Sequence, residues 1–245
     1  MTSLKLHSLL GGALAALLLT AGARAQGAEK SAPEPRRSWT IRAERIHTVS
    51  GQVIEGGLVR VENGRIAAIV PGGKGGDLSV HTITPGLIDL SPDISLGLSA
   101  VEEDREVTPE MHLTDALNLY STRFGRELAS GVTAVLLSAP DNNVIGGLAA
   151  AVKTGGPELL SARLLKPDAV LSGAFGSAPS RFNSPAFGRP QGLFNRRPTT
   201  RMGVEWEARK AFYDALFALE DKREHPGSRE LQAVLRGDLP LMLQA

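Results

Sequence analysis

The middle of the chain has two short apolar segments separated by a stretch with helical periodicity, and this order constrains the fold more than any other feature. Residues 83–90 form a buried-strand pattern without polar alternation, and residues 132–138 form a second one. Between them, Thr114 is a suitable helix N-cap, and apolar side chains then recur at helical spacing until Gly131, which suits a helix end. A strand, a helix and a strand joined by short turns predict a parallel α/β sheet.

A different pattern precedes this region. Residues 39–46, 58–62 and 65–70 are predicted strands, and the last two are separated by Asn63-Gly64, a dipeptide typical of a tight hairpin. Residues 39–81 therefore predict a small β-structure, followed by a second domain over residues 82–245.

The second half adds a long irregular segment and two helices. Residues 172–203 are rich in proline, glycine and arginine and contain no acidic residue. This loop is either a basic lid that attracts an acidic ligand or a solvated insertion, and loop statistics favour the insertion. Residues 204–223 predict an amphipathic helix, residues 228–236 a second helix capped by Ser228, and residues 239–245 a strand.

The N-terminus predicts export. Residues 1–25 have the pattern of a cleavable signal peptide, with a weakly basic start, an apolar run and Ala23-Arg24-Ala25 before the predicted cut. Residues 26–38 read as a flexible leader. We expect the mature chain in the periplasm or outside the cell, without a membrane span.

Composition narrows the functional classes. The formal net charge is +1 and no nucleic-acid motif is present, so a polyanion partner is not expected. The chain has no cysteine. It therefore has no disulfides, and any metal would need His, Asp, Glu or a modified Lys as ligands.

Two stretches carry a family likeness. Residues 55–69, centred on Val61-Glu62-Asn63-Gly64-Arg65, and then Thr84-Pro85-Gly86-Leu87-Ile88-Asp89, resemble the opening of the amidohydrolase superfamily. The similar branch is that of imidazolonepropionase-like, metal-dependent hydrolases. A secreted bacterial group within it is also resembled by residues 131–133, 143–153, 201–203 and 234–240. The resemblance implies an α/β fold, with part of a small β-sandwich domain followed by the first half of a (β/α)₈ TIM barrel.

The resemblance also implies a divalent metal, zinc, bound near the barrel mouth by a His-x-His pair, a lysine and later histidines. In this sequence Ser91 and Asp93 occupy the first pair of positions, and Gln244 stands where a later histidine is expected. Asp93 and Lys153 are the remaining candidate metal ligands, and both are expected near the mouth. Lys153 is either a carboxylated ligand or, as we favour, an ordinary strand-end lysine.

Other polar clusters are weaker candidates. The acidic run 102–106 reads as a solvated loop rather than an acid–base site, and residues 141–143 read as a polar turn. His47, His81, His112 and His225 are not paired at ligand spacing and read as surface or packing residues.

Two functions follow from the resemblance. The first is an exported hydrolase of non-peptide C–N bonds in small amide or cyclic-amide substrates, with a degenerate metal site. The second is a non-catalytic binding or structural subunit that pairs with an active amidohydrolase. A half barrel leaves open sheet edges. The sequence thus predicts either a piece of a longer protein or an oligomer that completes the barrel.

Overall fold

The computed structural model describes residues 38–92, 94, 100–181, 183, 196–221 and 225–245. The chain divides into two compact units at Thr84. The predicted signal peptide, all but the last residue of the predicted leader, and Asp93 lie outside the described residues.

The first unit is one four-stranded sheet. Its strands are β1 (Ser38–Ile46), β2 (Ile54–Glu62), β3 (Arg65–Pro71) and β4 (Leu78–Ile83), in the order β3-β2-β1-β4. Strands β1, β2 and β3 pair antiparallel, whereas β4 runs parallel to β1. Asn63 and Gly64 have φ angles of 53° and 74°, so the predicted hairpin is confirmed with the left-handed backbone that this dipeptide tolerates. Ala43, Ile46 and Val59 form the small core.

The second unit contains a five-stranded sheet. Its strands are β5 (Leu87–Asp89), β6 (Val132–Leu137), β7 (Ile145–Lys153), β8 (Leu164–Ala174) and β9 (Leu241–Gln244), in sequence order. The predicted parallel pairing of β5 with β6 is confirmed, and β8 with β9 is also parallel.

Strand β7 runs antiparallel to both of its neighbours, so the sheet is mixed rather than wholly parallel as in a (β/α)₈ barrel. Residues 138–144 connect β6 to β7, and this connection is too short for the crossover that two parallel strands require. The two strands therefore form an antiparallel hairpin. The four remaining strands all end at one edge of the sheet, which we call the C-terminal edge.

The sheet is strongly curled. Gln244, at the end of β9, donates a hydrogen bond from Nε2 to Oγ of Ser138, just after β6, over 3.2 Å. Two other strands separate β6 from β9, and in a flat sheet the two strands would lie about 14 Å apart. The contact across the concave face shows a half-barrel curvature.

The first helix begins later than predicted, because side chains before it accept hydrogen bonds from backbone N–H groups. Instead of one helix from Thr114, a 3₁₀ turn (Leu113–Ala116) precedes helix α1 (Thr122–Ala129). Asn118 Oδ1 accepts the Tyr120 N–H, and Ser121 Oγ accepts the Arg123 N–H as the true N-cap. Gly131, with φ of 87°, follows the helix end as predicted.

The later helices are α2 (Leu160–Arg163), α3 (Arg201–Asp221) and α4 (Ser228–Arg236). Val204, Ala208 and Ala215 form the buried face of α3, but Leu216 and Leu219 of the predicted apolar stripe are exposed. Gly227, not Ser228, is the N-cap of α4, and Gly237 ends that helix as predicted. None of the described helices has the length and apolarity needed to cross a membrane.

The irregular segment is shorter than the predicted loop 172–203, because β8 extends to Ala174 and α3 begins at Arg201. The first residues of the predicted loop complete β8, and Ala178–Ser180 form a 3₁₀ turn. Residues 182 and 184–195 of this loop lie outside the described part of the chain.

Candidate functional site

Ser91, the first of the predicted metal-binding positions, lies two residues after the end of β5. Ser91 is exposed, and its N–H donates to Asp89 Oδ1 over 2.9 Å. Asp93 lies beyond the described residues, so its role as a ligand stays a prediction.

Lys153 lies at the opposite edge of the sheet from the one expected. It ends β7 and pairs with Ala134, near the start of β6, because β7 runs against its neighbours. Its backbone carbonyl accepts a hydrogen bond from Arg163 Nε over 2.9 Å. Lys153 is therefore separated by the length of β6 from the C-terminal edge, where Gln244 and Ser138 meet.

The implied metal does not fit the residues that the structure describes. Among them, no three His, Asp or Glu side chains are close enough together to hold a metal ion. Ser138 and Gln244, which do meet at the C-terminal edge, offer a hydroxyl and an amide, which are weak ligands for zinc.

A buried polar network lies beside the start of β7. Glu106, which is 8% exposed, belongs to a segment that pairs with this strand, since Ile145 N–H donates to its carbonyl over 3.0 Å. Its Oε1 accepts from Asn183 Nδ2 over 3.2 Å and lies 2.8 Å from Arg196 Nε. The Arg196 N–H is not aligned with that oxygen, so this contact is a close ion pair rather than a good hydrogen bond.

Side chains of the same network also donate hydrogen bonds to backbone carbonyls of residues 102 and 105. Arg196 Nη2 donates to the Glu102 carbonyl over 3.1 Å, and Asn143 Nδ2 donates to that carbonyl over 2.8 Å and to the Arg105 carbonyl over 2.9 Å. Two buried oxygens, Glu106 Oε2 and Asn143 Oδ1, have no hydrogen-bond partner among the described residues. The network is thus incompletely satisfied.

The Glu106 carboxyl is electrostatically unusual. Burial raises its pKa to about 6, and the raising effect exceeds the lowering effect of the Arg196 charge and the Asn183 hydrogen bond. A carboxyl with such a pKa can exchange a proton near neutral pH, which is the property of a general acid or base. The interpretation of the run 102–106 as a solvated loop is therefore wrong for Glu106.

A second titratable pair lies nearby. His112 Nδ1 donates to Asp168 Oδ1 over 2.7 Å. Asp168 occupies an irregular part of β8 with φ of 48°, where the strand bulges opposite Ala149 and Ala151. The hydrogen bond to Asp168 is the main cause that raises the pKa of His112. The carboxylate fixes the tautomer and orientation of the imidazole.

A cavity of about 660 Å³ opens beside His112. It is lined by apolar and acidic side chains of residues 100–117 together with Gly146 at the start of β7. This volume is in the range of small-molecule sites.

Sequence reasoning did not identify either pair. His112 and Asp168 are 56 residues apart, and Glu106 and Arg196 are still further apart, so no local spacing connects them. Arg196 belongs to the predicted loop 172–203, which contains several arginines and no acidic residue. This excess of positive charge was the signal in the sequence that an arginine of the loop pairs with an acidic residue elsewhere in the chain.

Comparison with solved structures supports the fold, whereas comparison with families and curated proteins gives no match. No family profile and no curated protein match the sequence. A solved structure, an amidohydrolase from Thermotoga maritima MSB8, superposes with a TM-score of 0.68 and 22% sequence identity over 84% of this chain. The match spans 57% of that protein's length. The chain therefore has an amidohydrolase-like fold.

Proposed function

We propose that this chain forms part of an exported hydrolase that cleaves amide-type C–N bonds of small molecules. The match in fold to the Thermotoga amidohydrolase is the observation that carries this proposal. The resemblance of residues 55–69 and 84–89 to the imidazolonepropionase-like branch supports the same class. Fold alone does not fix activity, so the proposal requires a direct test.

The proposed metal centre is a degenerate zinc site that includes Asp93. Asp93 comes four residues after Asp89, the last residue of β5, and takes the second position of the expected His-x-His pair. Lys153 is a less suitable ligand because it ends β7 at the edge opposite the C-terminal edge. The remaining ligands would have to come from residues that the structure does not describe or from another polypeptide.

The test measures bound metal and turnover on the same preparation. We expect about stoichiometric zinc by plasma mass spectrometry, and hydrolysis of N-acyl amino acids or cyclic amides that EDTA abolishes. Asp93→Ala should lose the metal and keep its circular dichroism spectrum. Asp141→Ala, in the exposed turn after β6, is the matched control and should keep both metal and turnover. Unchanged metal content in Asp93→Ala would refute the proposed centre.

A second candidate is a non-catalytic subunit that pairs with an active amidohydrolase. The replacement of the expected histidines by Ser91 and Gln244 favours this candidate. It predicts no metal and no turnover for the isolated chain, and recovery of turnover when a homologous amidohydrolase is co-expressed. N-terminal sequencing of the exported protein tests the predicted cleavage before Gln26 under either candidate.

A further inference from the structure

The cavity beside His112 has a lining that selects by charge as well as by shape. Its wall contains the apolar side chains of Val101, Met111, Leu113 and Leu117. Three carboxyl side chains, Glu102, Glu110 and Asp115, lie around the same space. Of the described residues that line it, none is a lysine or arginine, and the one histidine, His112, is paired with the carboxylate of Asp168.

The acidic side chains are only partly neutralised. Arg105 forms an ion pair with Glu110. No described lysine or arginine forms an ion pair with Asp115, which is exposed and acts on His112 through its charge, or with Glu102, whose Oε1 accepts the Asp104 N–H. A cavity with apolar walls and uncompensated carboxylates favours a positively charged occupant, because low-dielectric walls strengthen the attraction.

The pKa of His112, which itself lines the cavity, also shows the sign of the local electrostatic field. Its pKa is raised by the hydrogen bond to Asp168 and also by the charges of Asp168, Asp115 and Glu230, which exceed the opposing effect of burial. The surroundings of His112 therefore stabilise positive charge at this position.

The arrangement suits an organic cation better than a metal ion. No three acidic or histidine side chains of the described residues are close enough together to ligate a metal. The carboxylates are instead spread around an apolar surface, which matches a ligand with a cationic group on an apolar body.

We propose that this cavity is a binding site for a small organic cation, of the ammonium or amidinium type, with an apolar body. This inference goes beyond the proposed hydrolysis and does not depend on it, because binding is measured without metal and without turnover.

The test compares three probes of similar size and different charge by isothermal titration calorimetry of the purified full chain. The probes are 2-phenylethylamine, which is a cation at pH 7, neutral 2-phenylethanol and anionic phenylacetate. We expect saturable binding of the amine, at least about tenfold tighter than either other probe, which corresponds to one favourable charge contact. The amine's affinity should also fall as salt is raised.

Variants locate the site. Asp115→Asn should weaken binding of the amine about tenfold, and it is expected to fold because Asp115 is exposed. Glu102→Gln should have a similar effect, since its backbone carbonyl keeps the bonds to Asn143 and Arg196. Glu220→Gln, an exposed charge removal on α3 that does not line the cavity, should change affinity by less than about twofold.

Three results would overturn the inference. The first is the lack of saturable binding of the amine. The second is equal binding of the alcohol or the carboxylate. The third is an affinity for the amine that Asp115→Asn and Glu102→Gln leave unchanged, which would place its site elsewhere. Loss of hydrolysis or of zinc does not bear on these outcomes, so failure of the proposed function and failure of this inference are distinguishable.

Discussion

Arg163 and Glu106 are both charged side chains buried in the second unit, but their surroundings satisfy them to different degrees. Arg163 is 3% exposed, and its guanidinium donates to three backbone carbonyls, those of Leu119, Lys153 and Thr154, over 3.1, 2.9 and 2.8 Å. It also lies over the Phe124 ring, 4.1 Å from the centroid. Glu106 has one well-partnered oxygen and one buried oxygen without a partner among the described residues.

The difference separates a structural charge from a responsive one. Burial lowers the pKa of Arg163, but an arginine stays protonated at any ordinary pH, and its donors are bonded to three backbone carbonyls. Glu106 changes its charge around pH 6, because burial raises its pKa to about 6, and its Oε2 is buried without a partner among the described residues. We therefore expect the Arg163 region to be constant and the Glu106 region to vary with pH.

Removal of Arg163 is expected to give the largest effect. Arg163→Met keeps an apolar stem over Phe124 but leaves three carbonyls without their donor, and we expect a loss of about 3 kcal/mol or more of the free energy of unfolding. Urea denaturation measures it. Arg126→Met, an exposed arginine of α1, is the control and should cost less than about 0.5 kcal/mol. Equal effects of the two substitutions would show that the buried donors are not needed.

Glu106→Gln tests the pH response. The folded-state pKa is above the unfolded value, so the stability from protonated Glu106 is present below pH 4.5 and is lost as the pH rises through about 6. Between pH 4 and pH 7.5, the free energy of unfolding of the wild-type protein should therefore fall by about 2 kcal/mol more than that of Glu106→Gln. Urea denaturation at a series of pH values measures this difference. Parallel pH–stability curves for the two proteins would contradict the assignment.

The His112–Asp168 pair should give the smallest effect because both side chains are in contact with solvent, being 46% and 40% exposed. The raised pKa of His112 means that the pair stabilises the fold below pH 6.5 and that this contribution is lost as the pH rises through the folded pKa. Screening by solvent limits it to about 0.5 kcal/mol.

NMR titration of the imidazole is the sensitive measurement for this pair. In Asp168→Asn, the pKa of His112 should fall toward that of an ordinary histidine. Asparagine tolerates the positive φ at this position, so the backbone of β8 is expected to be retained. An unchanged titration of His112 would exclude Asp168 as the cause.

Features that depend on neighbouring residues were predictable from the sequence. The Asn63-Gly64 hairpin follows from the backbone preferences of two adjacent residues, and Gly131 and Gly237 follow from the left-handed conformation at helix ends. The parallel pairing of β5 with β6 follows from the order of elements. The family resemblance also predicted the type of fold that the Thermotoga structure supports.

Features that depend on distant residues were not predictable. The reversal of β7 places Lys153 at the far edge, and sequence position along a strand does not reveal strand direction. The burial of Glu106 within an acidic run depends on Asn183 and Arg196, which approach it from much later in the chain. The metal role of Asp93 stays a prediction.

The reversal of β7 also has a consequence for the order of folding. Strands β6, β7 and β8 follow one another in sequence and pair with their immediate neighbours, so their contacts close short loops. Strand β9 reaches β8 only after a long intervening segment, and β5 reaches β6 across residues 90–131. Since short loops cost less entropy to close, we expect the three-strand meander to form first and to serve as the template on which β5 and β9 later assemble.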